Sequence, residues 1–211
     1  GLAPLLAVGR HRLVMVDHLG RLVDGDRLLY VSARDRMEQG ELHGPVVGTV
    51  MSNLGLQQAL EASGVPFMRA AVGDRYVLEL LKQHGGVLGG ETSGHLLCLD
   101  RTTTGDGIVS ALQVLAAMKR SGRSLAKLAS GMAHFPQVMV NVRVRGRIDP
   151  GQSPAIQSAV QRVEASLGTS GRVVLRASGT EPLIRVMVEG QDEAVVARHA
   201  NELAEVVRQA V

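Results

Sequence analysis

Short apolar runs alternate with amphipathic stretches over residues 1–132. Residues 45–51 are apolar almost throughout, which is typical of a strand buried on both faces, and Ser52-Asn53 follow in the position of a helix cap. The same patterning predicts further strands over 13–16, 67–72 and 96–99, and helices over 27–38, 54–63, 74–83 and 107–120. Because strands and helices alternate, we expect a mostly parallel sheet covered by helices on both faces, a three-layer α/β domain.

The pattern changes after Pro136. Valines at 138, 140, 142 and 144 alternate with Met139, Asn141, Arg143 and Arg145, and this period of two predicts a half-exposed strand. An apolar helical stripe then begins behind Ser153-Pro154 and ends at Gly168. Two strands (172–176 and 183–189) and a helix capped by Asp192 complete the order β-α-β-β-α. This order predicts a small sheet with both helices packed on one face.

Composition narrows the class of protein. The chain has 211 residues, 45% of them hydrophobic, and a net charge of +3, which excludes an intrinsically disordered chain. No apolar run approaches the ~18 residues of a membrane span, so we expect no membrane partner. Two Tyr, two Phe and no Trp leave no platform for stacking bases, and the small, scattered excess of basic residues does not favour nucleic acid. The single cysteine, Cys98, favours a reducing cytoplasm and is expected to be an unreactive residue of the core.

The strongest local signal lies around residues 176–185. Arg176 and Arg185 come at the ends of two successive predicted strands, so their guanidinium groups could converge on one anion. Between them, Ser178 and Thr180 offer hydroxyl groups, and Gly179 allows the backbone to approach a ligand closely. These residues favour a phosphate site. The alternative is an ordinary polar hairpin with two solvated arginines.

A second candidate site is the glycine-rich segment 89–95 (GGETSGH). Glu91 and Ser93 could bond to adjacent hydroxyl groups of a sugar, while His95 could move a proton or donate to a phosphate. The alternative interpretation is a glycine turn with a surface glutamate and a packed histidine. The spacing alone does not decide between them.

Several other polar clusters favour structural roles. The segment Thr102–Gly107 precedes a helix and could bind an anion there, but the negative charge of Asp106 favours a capping role instead. Asp74 is similarly expected to cap its helix. Asp24 and Asp26 suggest a metal only weakly, since no third oxygen-rich cluster accompanies them.

Five segments together resemble one family: VVGTVMSNLGL (46–56), AVGDRYVLE (71–79), LGGETSGH (88–95), LDRTTTGDGIVSALQVL (99–115) and RASGTEPLIRVMVE (176–189). In this order they resemble the bacterial phosphoglucosamine mutase family of α-D-phosphohexomutases. The resemblance extends from Arg12 to the end of the chain. It implies an isomerase that interconverts glucosamine 6-phosphate and glucosamine 1-phosphate for UDP-N-acetylglucosamine and peptidoglycan synthesis, using a phosphoserine and Mg²⁺.

The resemblance also implies a domain organisation. The chain is expected to be the carboxy-terminal half of a four-domain protein, with the missing amino-terminal half as a possible partner. Residues 1–22 would be a remnant of the second domain, and 23–132 the third α/β domain with its sugar-recognition loop. Residues 133–211 would form the C-terminal phosphate-binding domain, with a fold similar to that of the TATA-box-binding protein.

Roles carried over by position divide the candidate residues into three sets. The resemblance makes Glu91, Ser93 and Gly94 the contacts to the sugar of a hexosamine phosphate. It makes His95 a catalytic residue beside the reacting phosphoryl group, with Arg12 as a second catalytic candidate. The distal phosphate would be held by a clamp of Arg176, Ser178, Gly179, Thr180 and Arg185.

Two departures from the family pattern change what we expect of this chain. A serine followed by His-Asn-Pro, the family's phosphoserine loop, does not occur in it. In place of the family's acidic magnesium loop, the positions before Arg12 carry Ala7, Gly9 and His11, so Mg²⁺ is not expected to bind there. We therefore expect phosphosugar recognition with little or no turnover. The alternatives are a phosphomannomutase/phosphoglucomutase fragment or a non-catalytic remnant.

Overall fold

A computed structural model of the chain describes residues 5–9, 11–144, 149–178 and 181–210, with the side chains of 5–8 left undescribed. The chain divides into two compact units, the first ending at His134 and the second beginning at Phe135. No helix in the described ranges is both long and apolar enough to cross a membrane.

The central sheet of the first unit has the order β5-β4-β6-β7. Its strands are β4 (Val46–Thr49), β5 (Phe67–Ala70), β6 (Leu88–Gly90) and β7 (Leu96–Cys98). The β4 strand pairs in parallel with β5 and β6, whereas β7 returns antiparallel to β6. The helices of this unit are α1 (Gly25–Gln39), α2 (Leu54–Glu61), α3 (Asp74–His84), α4 (Gly107–Ser121) and α5 (Leu125–Ala129). The predicted mostly parallel sheet is confirmed.

Both faces of this sheet are buried, as the apolar run of β4 predicted. Val46 points into a large core shared with α1, α2 and α4, while its neighbour Val47 points into a smaller core shared with α3. Successive side chains of a strand face opposite sides, so one apolar run serves both cores. Cys98 lies in this sheet, fully buried, and burial raises the pKa of its thiol.

A second, antiparallel sheet precedes the first helix. It has the order β1-β2-β3, with β1 (Leu5–Val8), β2 (Leu13–Val16) and β3 (Leu22–Val23). Leu13, Met15 and Val23 point into the core of the first unit. Val14 and Leu22 face the other way and are exposed, so one face of this sheet has no cover within the described chain.

The second unit has the predicted order β-α-β-β-α. Its elements are β8 (Gln137–Arg143), α6 (Pro154–Leu167), β9 (Gly171–Ala177), β10 (Leu183–Gly190) and α7 (Glu193–Ala210). The sheet is antiparallel throughout, with β10 between β8 and β9. Ile156 of α6 and Leu203 of α7 pack with Ile184 of β10 in one core, so both helices cover the same face, as predicted.

Several helix boundaries differ from those predicted, and local capping explains why. The α1 helix begins at Gly25 rather than at residue 27, because the Asp24 carboxylate accepts from the backbone N–H of Arg27. The prediction that Asp74 caps α3 is wrong: Gly73 occupies the cap position and Asp74 is the first helical residue. Asp106 does cap α4, accepting from the N–H groups of two residues in the first turn.

Candidate functional site

The segment 91–95 is a tight turn between β6 and β7. Gly89 and Gly90, predicted to lie in the loop, belong to β6 instead. The N–H of Glu91 donates to the carbonyl of His95 at 2.9 Å, and the N–H of Gly94 donates to the carbonyl of Glu91 at 2.9 Å. Gly94 has a φ of +88°, a conformation that glycine adopts without strain.

Backbone groups of β2 and α1 hydrogen-bond to this turn. The N–H of Leu13 in β2 donates to the carbonyl of Gly94, and the N–H of Gly25 at the start of α1 donates to the carbonyl of Thr92. The approach is close: a Cβ on Gly25 would lie 2.1 Å from the carbonyl oxygen of Glu91. The turn is therefore fixed by backbone contacts that the sequence motif does not reveal.

Glu91 and Ser93 are brought together on the accessible side of the turn. Glu91 is partly buried, and its Oε1 accepts from the backbone N–H of Gly73 at 2.9 Å. The Ser93 hydroxyl is exposed and donates to Glu91 Oε2 at 3.3 Å. A carboxylate and a hydroxyl at this separation can bond to neighbouring hydroxyl groups of one ligand.

His95 lies at the end of the turn with a free ring nitrogen. Its side chain is 12% exposed, and its Nε2 lies 3.9 Å from Asp74 Oδ2 without a hydrogen-bond partner in the described residues. Gly105 passes so close that a Cβ there would come within 1.9 Å of this nitrogen. A buried, unpartnered ring nitrogen is available to give or take a proton from a bound group.

His11 stacks beside His95, with ring centroids 6.0 Å apart and planes inclined by 26°. Its Nδ1 lies 3.1 Å from the carbonyl of Gly105 and must donate to it, since a carbonyl only accepts. Arg12, the next residue, is exposed and immediately precedes Leu13, which bonds to the turn. The backbone of Arg12 therefore lies one residue from the strand position that bonds to the turn.

The arginine pair forms the second candidate site, in the other unit. Arg176 of β9 and Arg185 of β10 are direct cross-strand partners, so their side chains leave the same face of the sheet. The Nε atoms of both are buried and lack a hydrogen-bond partner in the described part of the chain. Burial lowers the pKa of Arg176, and the neighbouring charge of Arg185 lowers it further.

The turn that joins these strands completes the site only in part. Ser178 donates its backbone N–H to the carbonyl of Leu183 at 2.8 Å, which closes the hairpin. Gly179 and Thr180, predicted to belong to the phosphate clamp, lie outside the described residues. Glu181 Oε2 lies 3.6 Å from Arg185, a neighbouring charge that the sequence motif contains but that our sequence reasoning did not use.

A cleft of about 730 Å³ opens between α6 and β9. Val173, Leu175 and Arg176 of β9 line one side, and Gln157 and Val160 of α6 line the other. This volume lies within the ~300–1,000 Å³ usual for small-ligand sites. Arg176 lines this cleft and Arg185 does not, so the cleft is not a pocket shared by the arginine pair.

Magnesium does not fit the donor atoms that this chain provides. In the described residues, no group of three His, Cys, Asp or Glu side chains is placed to hold a metal ion. The positions before Arg12 carry Ala7, Gly9 and His11 where the resemblance implies carboxylates. Mg²⁺ prefers carboxylate and other oxygen ligands, so these three positions do not fit it.

Comparison with solved structures places the fold in a known group. The Aspergillus fumigatus N-acetylphosphoglucosamine mutase, solved in complex with GlcNAc-6P and magnesium, matches 94% of this chain and 50% of its own, with a TM-score of 0.78 and 20% identity. An N-acetylglucosamine-phosphate mutase in its product complex matches 98% of this chain and 50% of its own, with a TM-score of 0.80 and 18% identity. At these identities the likeness shows the fold alone.

Sequence comparison is more specific. The phosphoglucosamine mutase of Methylococcus capsulatus is 60% identical over 199 residues, and that of Proteus mirabilis is 57% identical over 197. The chain spans 44% of the length of these relatives. Residues 24–135 match the family description "Phosphoglucomutase/phosphomannomutase, alpha/beta/alpha domain III", and 139–206 match "Phosphoglucomutase/phosphomannomutase, C-terminal domain". The chain therefore belongs to the phosphoglucomutase/phosphomannomutase family.

Proposed function

We propose that this chain is the sugar-phosphate-recognising part of a phosphoglucosamine mutase, an isomerase that interconverts glucosamine 6-phosphate and glucosamine 1-phosphate. Identities of 57–60% to curated phosphoglucosamine mutases support this substrate. Within it, residues 23–132 would recognise the sugar and 133–211 the phosphate, with 1–22 left from a preceding domain.

The observation that carries the proposal is the arginine pair, near which the described residues place one carboxylate, that of Glu181, 3.6 Å from Arg185. Two guanidinium groups on one face of a sheet repel each other, and their buried Nε–H groups have lost water without gaining an acceptor among the described residues. A phosphate dianion would supply both the opposite charge and several acceptor oxygens. Arginine suits this task because its planar fork can bond to two phosphate oxygens at once.

The turn 91–95 supplies the complementary part of the recognition. We assign Glu91 and Ser93 to the sugar hydroxyl groups, with Gly94 allowing the backbone to turn beneath them. His95, with its free Nε2, would donate to or accept from the reacting phosphoryl group. Arg12 would add positive charge on the same side.

Phosphoryl transfer itself needs groups that these residues do not include. In the family that this chain resembles, a phosphoserine donates its phosphoryl group to the sugar phosphate, which becomes a sugar bisphosphate. The bisphosphate then reorients, and its other phosphoryl group returns to the serine. A clamp that recognises charge rather than shape suits such a ligand, because it must hold either end of the sugar. The chain contains no serine followed by His-Asn-Pro. We therefore expect binding, with little or no turnover by the chain alone.

Calorimetric titration of the purified chain with inorganic phosphate and with glucosamine 6-phosphate tests the clamp. Arg176→Ala and Arg185→Ala should each weaken the binding of both ligands about tenfold or more, since a hydrogen bond to a charged group contributes ~1.5–3 kcal/mol. The matched control is Arg198→Ala, an exposed arginine of α7 in the same unit, which should leave both affinities unchanged.

Three results would each contradict part of the proposal. Unchanged phosphate binding in both arginine variants would show that Arg176 and Arg185 do not hold the phosphate. Equal or tighter binding of mannose 6-phosphate than of glucosamine 6-phosphate would favour a phosphomannomutase instead, an alternative supported by the breadth of the family description. Substantial mutase turnover by the chain in a coupled assay would contradict the expected lack of activity.

A further inference from the structure

Asp26 is a buried carboxylate that neither the clamp nor the turn explains. It is the second residue of α1 and has no exposed surface. Its Oδ2 accepts the hydroxyl of Thr92 at 2.8 Å and the backbone N–H of Asn53 at 2.9 Å. Asn53 in turn caps α2 by accepting from Gly55. One carboxylate thus joins α1, the start of α2 and the turn 91–95.

This arrangement is costly for stability. Asp26 Oδ1 is buried and has no hydrogen-bond partner in the described residues. Burial raises the pKa of Asp26 to about 6, although bonds from Asn53, Thr92 and Ser52 lower it in part. An incompletely paired buried acid is less favourable than an apolar side chain of similar size. A specific geometric task would account for an acid at this position.

The geometry identifies that task. Thr92 is held twice by the start of α1: its hydroxyl by Asp26, and its carbonyl by the N–H of Gly25 at 3.0 Å. Its neighbours on either side are Glu91 and Ser93, the residues with side chains on the accessible side of the turn. Anchoring Thr92 toward α1 at two points restricts the backbone that carries both of these side chains. In this arrangement the Ser93 hydroxyl lies 3.3 Å from Glu91 Oε2.

We propose that Asp26 is a positioning residue for sugar recognition: through the Thr92 hydroxyl, it holds Glu91 and Ser93 in the arrangement that meets the hydroxyl groups of the ligand. The inference rests on the proposed function of the turn. It assigns a role to the Asp24-Gly25-Asp26 triplet, which on sequence suggested a metal only weakly. It does not involve Asp26 in contact with the ligand.

The test compares the affinity for glucosamine 6-phosphate with that for inorganic phosphate, which needs the arginine pair but not the turn. Thr92→Val keeps the shape of the side chain and removes the donor, so it should lower the preference for the sugar phosphate about fivefold, the effect of one hydrogen bond. Thr92→Ser keeps the hydroxyl and should retain the preference. Affinity for inorganic phosphate should be unchanged in both variants.

Asp26 itself is tested by a second pair of variants. Asp26→Ala should lose the preference as Thr92→Val does, and Asp26→Asn, whose amide oxygen can accept both bonds, should retain most of it. Ser32→Ala is the matched control, since Ser32 is a buried polar residue further along the same helix. It should leave the preference unchanged.

The outcomes separate the inference from the function on which it rests. If the wild-type chain prefers glucosamine 6-phosphate and both Thr92→Val and Asp26→Ala keep that preference, the positioning role is wrong and the proposed function stands. If Thr92→Ser or Ser32→Ala loses the preference equally, the effect is general destabilisation, and the positioning role is again wrong. If the wild-type chain shows no preference, the sugar-binding role of the turn fails, and the inference fails with it.

Discussion

At the scale of single residues, Asp26 gives the stability of this protein a pH dependence with a defined sign. Its pKa is raised from 3.8 to about 6 by burial, and the charge of Asp24 adds to the rise. The folded state therefore holds this proton more strongly than the unfolded state does. The resulting stabilisation is complete below pH 3.8 and is lost as the pH rises through 6.

We predict that Asp26→Asn removes this dependence. Between pH 4 and pH 7.5, the free energy of unfolding of the variant should rise relative to that of the wild type by up to about 3 kcal/mol, the equivalent of the pKa shift. Urea unfolding of both proteins at several pH values measures the difference. A difference that stays constant over this range would contradict the assignment of a raised pKa to Asp26.

At the scale of elements, the sequence predicts those features that are determined by residues close together along the chain. The alternating valines of β8 and the helix caps at Asp106 and Asp192 are local features, and each appears where the sequence predicted it. The antiparallel return of β7 and the backbone contacts beneath the turn depend on residues far apart in sequence. Periodicity contains no information about such pairings.

The candidate site likewise contains some features that the sequence predicts and others that it does not. The convergence of Arg176 and Arg185 could be expected, because both end successive strands of one hairpin. Their direct cross-strand register could not be, since it is fixed by pairing along the whole hairpin. The anchoring of Thr92 by Asp26 spans 66 positions and has no local signal beyond an unassigned pair of acids.

The junction between α1 and the turn yields a prediction at this scale. A Cβ on Gly25 would lie 2.1 Å from the carbonyl oxygen of Glu91 and 2.6 Å from the backbone nitrogen of Gly94. Backbone atoms cannot move aside cheaply, so Gly25→Ala should lower the free energy of unfolding by about 1–3 kcal/mol. It should also weaken glucosamine 6-phosphate binding more than phosphate binding.

Denaturant unfolding and calorimetry measure these two effects of Gly25→Ala. Gly9→Ala is the control for adding a methyl group at a glycine, since among the described residues its Cβ would meet only the carbonyl of Arg12, at an ordinary 3.7 Å. Equal stability of the Gly25 variant and the wild type would mean that α1 does not press against the turn.

At the scale of the whole chain, the two candidate sites lie in two units of different construction. The first unit presents a carboxylate, a hydroxyl and an imidazole on a turn fixed by backbone contacts. The second presents paired charges on the face of a small antiparallel sheet. A turn held at several points discriminates by geometry, whereas paired guanidinium groups select charge. Under the proposed function, the turn would recognise the sugar and the arginine pair the phosphate.

The outward face of the β1-β2-β3 sheet leads to a last prediction. Val14 is 38% exposed, Leu22 on the same face is 58% exposed, and Leu19 in the adjoining turn is 60% exposed. Contiguous apolar surface of this kind favours association between molecules. We expect the purified chain to self-associate as its concentration rises. The double variant Leu19→Lys/Leu22→Lys should reduce this without changing the midpoint of thermal unfolding, because neither side chain is buried.

Light scattering and gel filtration over a range of concentrations measure the effect. The variant Gln83→Lys/Gln161→Lys adds the same charge at exposed polar positions and separates loss of apolar surface from added repulsion. If both double variants suppress association equally, net charge is responsible rather than the sheet face. If only the leucine variant suppresses association, the exposed apolar side chains of this sheet face cause it. The opposite face of the same sheet is packed against the core of the first unit.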